Sequence, residues 1–165
     1  MAFLARKVAR PKWMPLGGSP QIQADAIACD LRTSGNTLSF WRFPSANDEL
    51  FKNAALALVS TWQRLDKIDL IAIPENVLLP HVKLRETPGA TAVADLRSFH
   101  VDAVELSIES LCLVARELAK EIRREGGMYR RLPKKSVLHL IREAIEQRRL
   151  NPADLDPGLR TKVYS

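Results

Sequence analysis

The stretch Asp69-Leu-Ile-Ala-Ile-Pro74 decides how this chain is read. It is an apolar run between polar ends, too short for a buried helix, and so predicts a central strand covered on both sides. Pro74 closes the run, and Glu75 follows at its C-terminal edge. A strand of this kind needs a sheet around it and helices over it, and the flanking sequence offers both.

Upstream, Ser45-Ala-Asn-Asp48 has the form of a capping box with Asp in place of Glu, which predicts a helix from Ser45 to about Leu65. Leu50, Phe51, Ala54, Ala55, Leu58, Trp62 and Leu65 recur at helical spacing, and Leu56, Ala57 and Val59 widen that face. Before it, Ala26–Leu31 and the alternating Thr37–Phe43 read as two strands joined by the Gly35-Asn36 turn. Downstream, His81–Glu86 and Thr91–Leu96 alternate around Thr87-Pro-Gly89, a second expected hairpin. A helix is expected from about Val101 to Glu125, with its stripe on Val104, Ile108, Leu111, Ala115, Leu118 and Ile122. Gly126-Gly127 stops it, a last helix follows from about Lys134 to Arg149, and Pro152–Leu155 suits one further turn. The fold class is therefore α+β (mixed α/β). One sheet of about five strands, built from two hairpins and a central strand, lies under three helices.

Residues 1–23 read instead as a basic Pro/Gly-rich arm leading into a single domain over 24–165. Pro11, Pro15, Gly17, Gly18 and Pro20 interrupt regular structure beyond a short strand, while Trp13 and Met14 offer apolar anchors. The chain has 165 residues, enough for one sizeable core. No apolar stretch approaches the roughly 18 residues of a membrane span, and the N-terminus lacks the apolar segment of a secretory signal. Cys29 and Cys112 form no Cys-x-x-Cys pair, and each lies in an apolar pattern. Two buried, reduced thiols in a soluble cytoplasmic protein are expected.

The charge points to acidic partners. The net charge is +6, and the distribution is uneven. Arg6, Lys7, Arg10 and Lys12 precede any acid, with Trp13 beside them. Residues 116–135 hold eight Lys or Arg against three Glu. Within that stretch Arg123, Arg124, Arg130, Arg131, Lys134 and Lys135 bracket the Gly126-Gly127 turn, with Tyr129 among them. Such a loop could clasp phosphates while Tyr129 stacks on an unpaired base, and the N-terminal cations could add a second contact.

Catalytic groupings are sparse. Asp30 and Glu75, at the ends of two expected strands, could share Mg²⁺ through hard carboxylate oxygens. Strand, hairpin, helix and strand with acids at these two places resembles the start of the ribonuclease H-like arrangement. That resemblance implies a Mg²⁺-dependent nuclease with Asp30 and Glu75 as metal ligands and catalytic carboxylates, and with Asp95, Asp102 or Asp156 as a third. His81, His100 and His139 lie 19 and 39 residues apart, which matches no local metal-ligand spacing. His100 and Asp102, beside Arg97 and Ser98, form the densest polar cluster. No nucleophile elbow and no phosphate-binding loop is present.

The leading expectation is a non-catalytic binding or adaptor protein with a basic surface and no cofactor, engaging nucleic acid or an acidic protein. Its broad apolar helix faces suggest a homodimer or other homo-oligomer. The nuclease is the enzymatic alternative, and an antitoxin- or immunity-type regulatory partner is a third.

Overall fold

The fold is α+β, one six-stranded antiparallel sheet with helices on both faces. The computed structural model describes residues 1–14 and 21–165; the Pro15, Gly17, Gly18 and Pro20 interruptions of the expected arm lie outside the described residues. The apolar run forms β3 (Ile68–Pro74), buried along almost its whole length as its composition requires. Its neighbours are β1 (Phe3–Lys7) on one side and β6 (Tyr129–Leu132) on the other. Beyond β1 come β2 (Leu38–Phe43), β5 (His100–Val104) and the edge strand β4 (Lys83–Glu86).

β1 departs from the arm reading. Its basic residues conceal the apolar triplet Phe3-Leu4-Ala5, which is buried between two antiparallel partners. Alternation then sorts the sheet into two cores. Phe3, Ala5, Trp41, Phe43, Leu70 and Ala72 lie under α3 (Asp48–Val59), α6 (Lys134–Glu146) and α7 (Pro157–Tyr164). Leu4, Leu38, Phe40, Ile71, Ile73, Val101 and Ala103 lie under α1 (Arg10–Trp13), α2 (Ala24–Asp30) and α5 (Ile108–Arg123). Glu75–Leu78 forms a further single helical turn, α4.

Neither expected hairpin forms. Ala24–Asp30 is helical rather than extended: its three alanines favour helix, and a helix buries Ala26 while Leu31 seals its end. The Gly35-Asn36 turn is present, both residues at positive φ (59° and 56°), but it only feeds the chain into β2. The partner of β4 is β5, because Thr91–Leu96 crosses over the sheet instead of returning beside it. Thr91 hydrogen-bonds Ser60 at the end of α3 (3.0 Å), and Val93 and Leu96 enter the core.

The long helix expected from Val101 starts later. Glu105 takes a positive φ of 56° and separates β5 from α5, which is capped by Ser107 and Ser110. Helix α3 is shorter than expected, and its cap is Asn47 rather than Ser45, accepting from the Leu50 amide at 3.0 Å. The α5 stripe is buried on the sheet from Val114 to Ile122, and α3 is covered by sheet and α6. The chain's own elements therefore cover much of both faces, while Ile108 of the α5 stripe stays 79 % exposed. No described helix is long and apolar enough to cross a membrane.

Candidate anion-binding site at one end of the sheet

The register pairs Lys7 with Leu70 and Ala5 with Trp41, so the C-terminus of β1 and the N-termini of β2 and β3 share one end of the sheet. Cations gather there. Arg6 points toward α2, and its Nε and Nη2 donate to the Asp30 carbonyl oxygen at 2.8 and 2.5 Å. Its Nη1 donates to the Ser39 carbonyl oxygen at 2.5 Å, and the guanidinium lies 5.7 Å from the Phe40 ring centre. Every one of these acceptors is neutral. Burial lowers the Arg6 pKa to about 10 against the opposing pull of Asp30, so the group remains cationic at neutral pH.

Lys7, exposed at the strand end, holds its Nζ 4.8 Å from the centre of the Trp62 ring. The two mark one wall of an open cleft of about 680 Å³, which Arg64 and Lys67 also line. Of the carboxylates in that cleft, Asp66 caps the Lys67 amide at 2.7 Å and Asp69 is bound by Arg131. Lys7 also lines a smaller pit of about 340 Å³, together with Arg6, Asp30, Ser39, Trp41 and His100.

The N-terminal cations and the β6 cations meet only in part. Arg10 packs its guanidinium 4.8 Å from the Tyr129 ring centre. Tyr129 donates its hydroxyl to Asp69, and Arg131 binds the same carboxylate from Nε and Nη2 at 2.7 and 2.9 Å. Burial pushes the Asp69 pKa up, but the bonds from Arg131 and Tyr129 outweigh it and hold the group below its ordinary range. The same contacts raise Arg131, and burial together with Asp69 raises Tyr129.

The basic loop expected at Arg130-Arg131 is thus an edge strand whose charges face inward tasks. Arg130 lies over Phe51 (5.3 Å) and donates to the Tyr129 carbonyl oxygen at 2.9 Å. Arg124 pairs with Glu121 at 2.7 Å, and Arg123 donates to the Gln21 carbonyl oxygen at 3.2 Å. Lys134 and Lys135 are exposed in the first turn of α6. Lys12 contacts the Cys29 sulfur, which raises the Lys12 pKa. Trp13 is buried and gives its indole N–H to Asp30 at 2.6 Å. Cys29 and Cys112 are exposed and unpaired rather than buried.

Asp30 and Glu75 are not brought together. Asp30 lies on a helix and accepts from the Ala9 amide and Trp13 Nε1, both at 2.6 Å, near the Arg6 end of β1. Glu75 is buried at the other end, its amide bonded to the Ala2 carbonyl oxygen. Roughly 13 Å of strand separates those two levels at about 3.4 Å per residue. Glu75 binds Arg42 through two bonds of 2.5 and 3.1 Å. The strand-borne acid pair on which the ribonuclease H-like resemblance rested is therefore not formed. Asp95 pairs with Arg149 at 2.8 Å, and Asp156 caps α7 through the Gly158 amide at 2.8 Å. Among the described residues no group of three or more His, Cys, Asp or Glu side chains is placed to hold a metal ion.

His100 and Asp102 do meet, on β5 and not at a helix start. Asp102 accepts from Ser39 Oγ at 2.7 Å and from Thr87 Oγ1 at 2.9 Å. With its proton committed to Asp102, the Thr87 hydroxyl accepts from His100 Nδ1 at 2.8 Å. The ring stands edge-on to Trp41, 5.2 Å between centres. His81 and His139 are exposed.

Trp62, Arg64 and Lys67 were not singled out as binding residues by sequence, because Trp62 continues the helical apolar spacing of α3 and so reads as core. Comparison with known protein families, with curated proteins and with solved structures finds no significant match.

Proposed function

We propose that this chain is a non-catalytic binding protein that holds single-stranded nucleic acid at the basic end of its sheet. The observation that carries the reading is the Lys7–Trp62 pair on the wall of an open cleft that also exposes Arg64 and Lys67. A cationic groove beside an aromatic face is what a flexible polyanion with stackable bases requires. Asp69 in that cleft is already neutralised by Arg131, so it opposes the phosphates weakly. The overall charge of +6 adds long-range attraction. Two exposed, unpaired thiols suit a reducing compartment such as the cytoplasm.

Fluorescence anisotropy with labelled single- and double-stranded DNA and RNA, at low and high salt and with and without Mg²⁺, tests it. Salt-sensitive binding that favours single strands, with the probes intact on a denaturing gel, is expected. Mg²⁺-dependent shortening of the probes would contradict a non-catalytic role. Binding to an acidic polypeptide but to no nucleic acid would transfer the site to a protein partner.

A further inference from the structure

The pit beside the cleft has its own chemistry. A guanidinium carries five N–H donors, and Arg6 uses three of them on the carbonyl oxygens of Asp30 and Ser39. Two donors, one each on Nη1 and Nη2, remain on a side chain that lines the pit. Its positive charge meets no carboxylate directly, because Asp30 gives its oxygen to the Ala9 amide and the Trp13 indole. The half-buried cation is held by neutral acceptors, and Asp30 offsets only part of the cost of burying its charge. Lys7, Ser39 and His100 also line the pit, as do Cys29 and Asp30, whose Oδ2 is taken up by the Ala9 amide and the Trp13 indole.

The other wall is apolar, formed by Trp41, Leu58 and Ala90. Gly89, just before Ala90, approaches so closely that a Cβ there would stand 2.5 Å from the Trp41 ring and 2.9 Å from the His100 Cβ. Its lack of a side chain keeps the pit's wall against Trp41. At about 340 Å³ the pit lies near the lower limit of ligand sites.

We propose that this pit binds a phosphomonoester, its phosphate on Arg6 and Lys7 and the attached sugar or base against Trp41. A monoester fits better than a phosphate within a strand. It carries close to two negative charges and three free oxygens, and it needs only one way in. Two sources present this group: the terminal phosphate of a nucleic-acid strand and a free mononucleotide. The first rests on the single-strand reading above; the second does not.

The test uses the whole chain with three probes: a labelled oligothymidylate bearing a 5′-phosphate, the same strand with a 5′-hydroxyl, and thymidine 5′-monophosphate. The phosphorylated strand should bind about tenfold more tightly than its twin, as two charge-assisted hydrogen bonds would give. Arg6→Lys should reduce that ratio to near one, whereas Arg64→Gln with Lys67→Gln should weaken both strands and preserve it. If Arg6→Lys does not fold, Lys7→Gln, at an exposed strand end, reads out the same ratio. Nucleotide binding that perturbs the Trp41 indole resonance, without discrimination between strands, would support the pit with a free nucleotide as its source. Equal affinity for the two strands with no nucleotide effect would overturn the pit and leave the cleft standing. No binding of any probe would overturn both.

Discussion

Arg131 grips Asp69 across the β3–β6 ladder with two hydrogen bonds, 2.7 and 2.9 Å long. The sequence presents Arg131 as a phosphate ligand in a loop, yet its charge is occupied inside the protein. The pair ties the edge strand to the central one, with Tyr129 adding a third bond to the same carboxylate.

Asp69→Asn should therefore destabilise the fold by about 2 kcal/mol at neutral pH, the scale of hydrogen bonds to a buried charge. The Asp69 pKa lies below its ordinary 3.8 in the fold, so the unfolded chain takes up the proton first as pH falls. Its contribution is complete above that ordinary value and is lost as pH drops through the folded one. Urea titrations of both proteins across the acid range should show the gap closing below about pH 4. A gap that stays constant with pH would show that Asp69 acts through packing alone.

Asp30 and Glu75 are predicted to be structural. Asp30→Ala leaves the Ala9 amide and the Trp13 indole unpaired, and Glu75→Ala leaves Arg42 without its buried partner. Each should cost about 2–3 kcal/mol in urea unfolding. Carboxylates kept for catalysis commonly strain the fold, and their removal raises stability. An increase in unfolding midpoint for either variant would revive a functional role.

Gly89→Ala should destabilise by about 1–3 kcal/mol, because the added carbon collides with the Trp41 ring and the His100 Cβ. Thermal unfolding and the near-ultraviolet signal of Trp41 should both change. An unaltered melting temperature would mean that the segment carrying Gly89 yields freely, and the pit wall with it.

The parts legible in the sequence are those where one signal acts alone. The run at Asp69–Pro74 has no competing pattern, and α6 shows an unbroken helical stripe after Pro133. β1 was hidden because Arg6 and Lys7, which end a buried strand, share a short segment with Arg10 and Lys12 and look like a tail. The Ala26–Leu31 segment reads as a short apolar run like a strand, although its alanines favour helix, and the Arg6 bonds to the Asp30 carbonyl oxygen hold that helix against β1. The candidate site was partly visible. Lys7 reaches the cleft and Arg6 the pit beside it, but Arg64, Lys67 and Trp62 come to Lys7 through the turn after α3, a proximity only the sheet register reveals.

The two basic patches make opposite predictions for the salt dependence of binding. The most direct measurement is the slope of log affinity against log salt for a labelled single strand. It should be taken with the parent chain, with Lys7→Gln/Arg64→Gln/Lys67→Gln, and with Lys134→Gln/Lys135→Gln. If the end of the sheet is the site, the triple variant loses at least tenfold in affinity and its slope flattens by about two units or more, while the double variant stays near the parent. A flattened slope in the α6 variant, with the triple variant unchanged, would contradict the account and return the interface to the turn between α5 and α6.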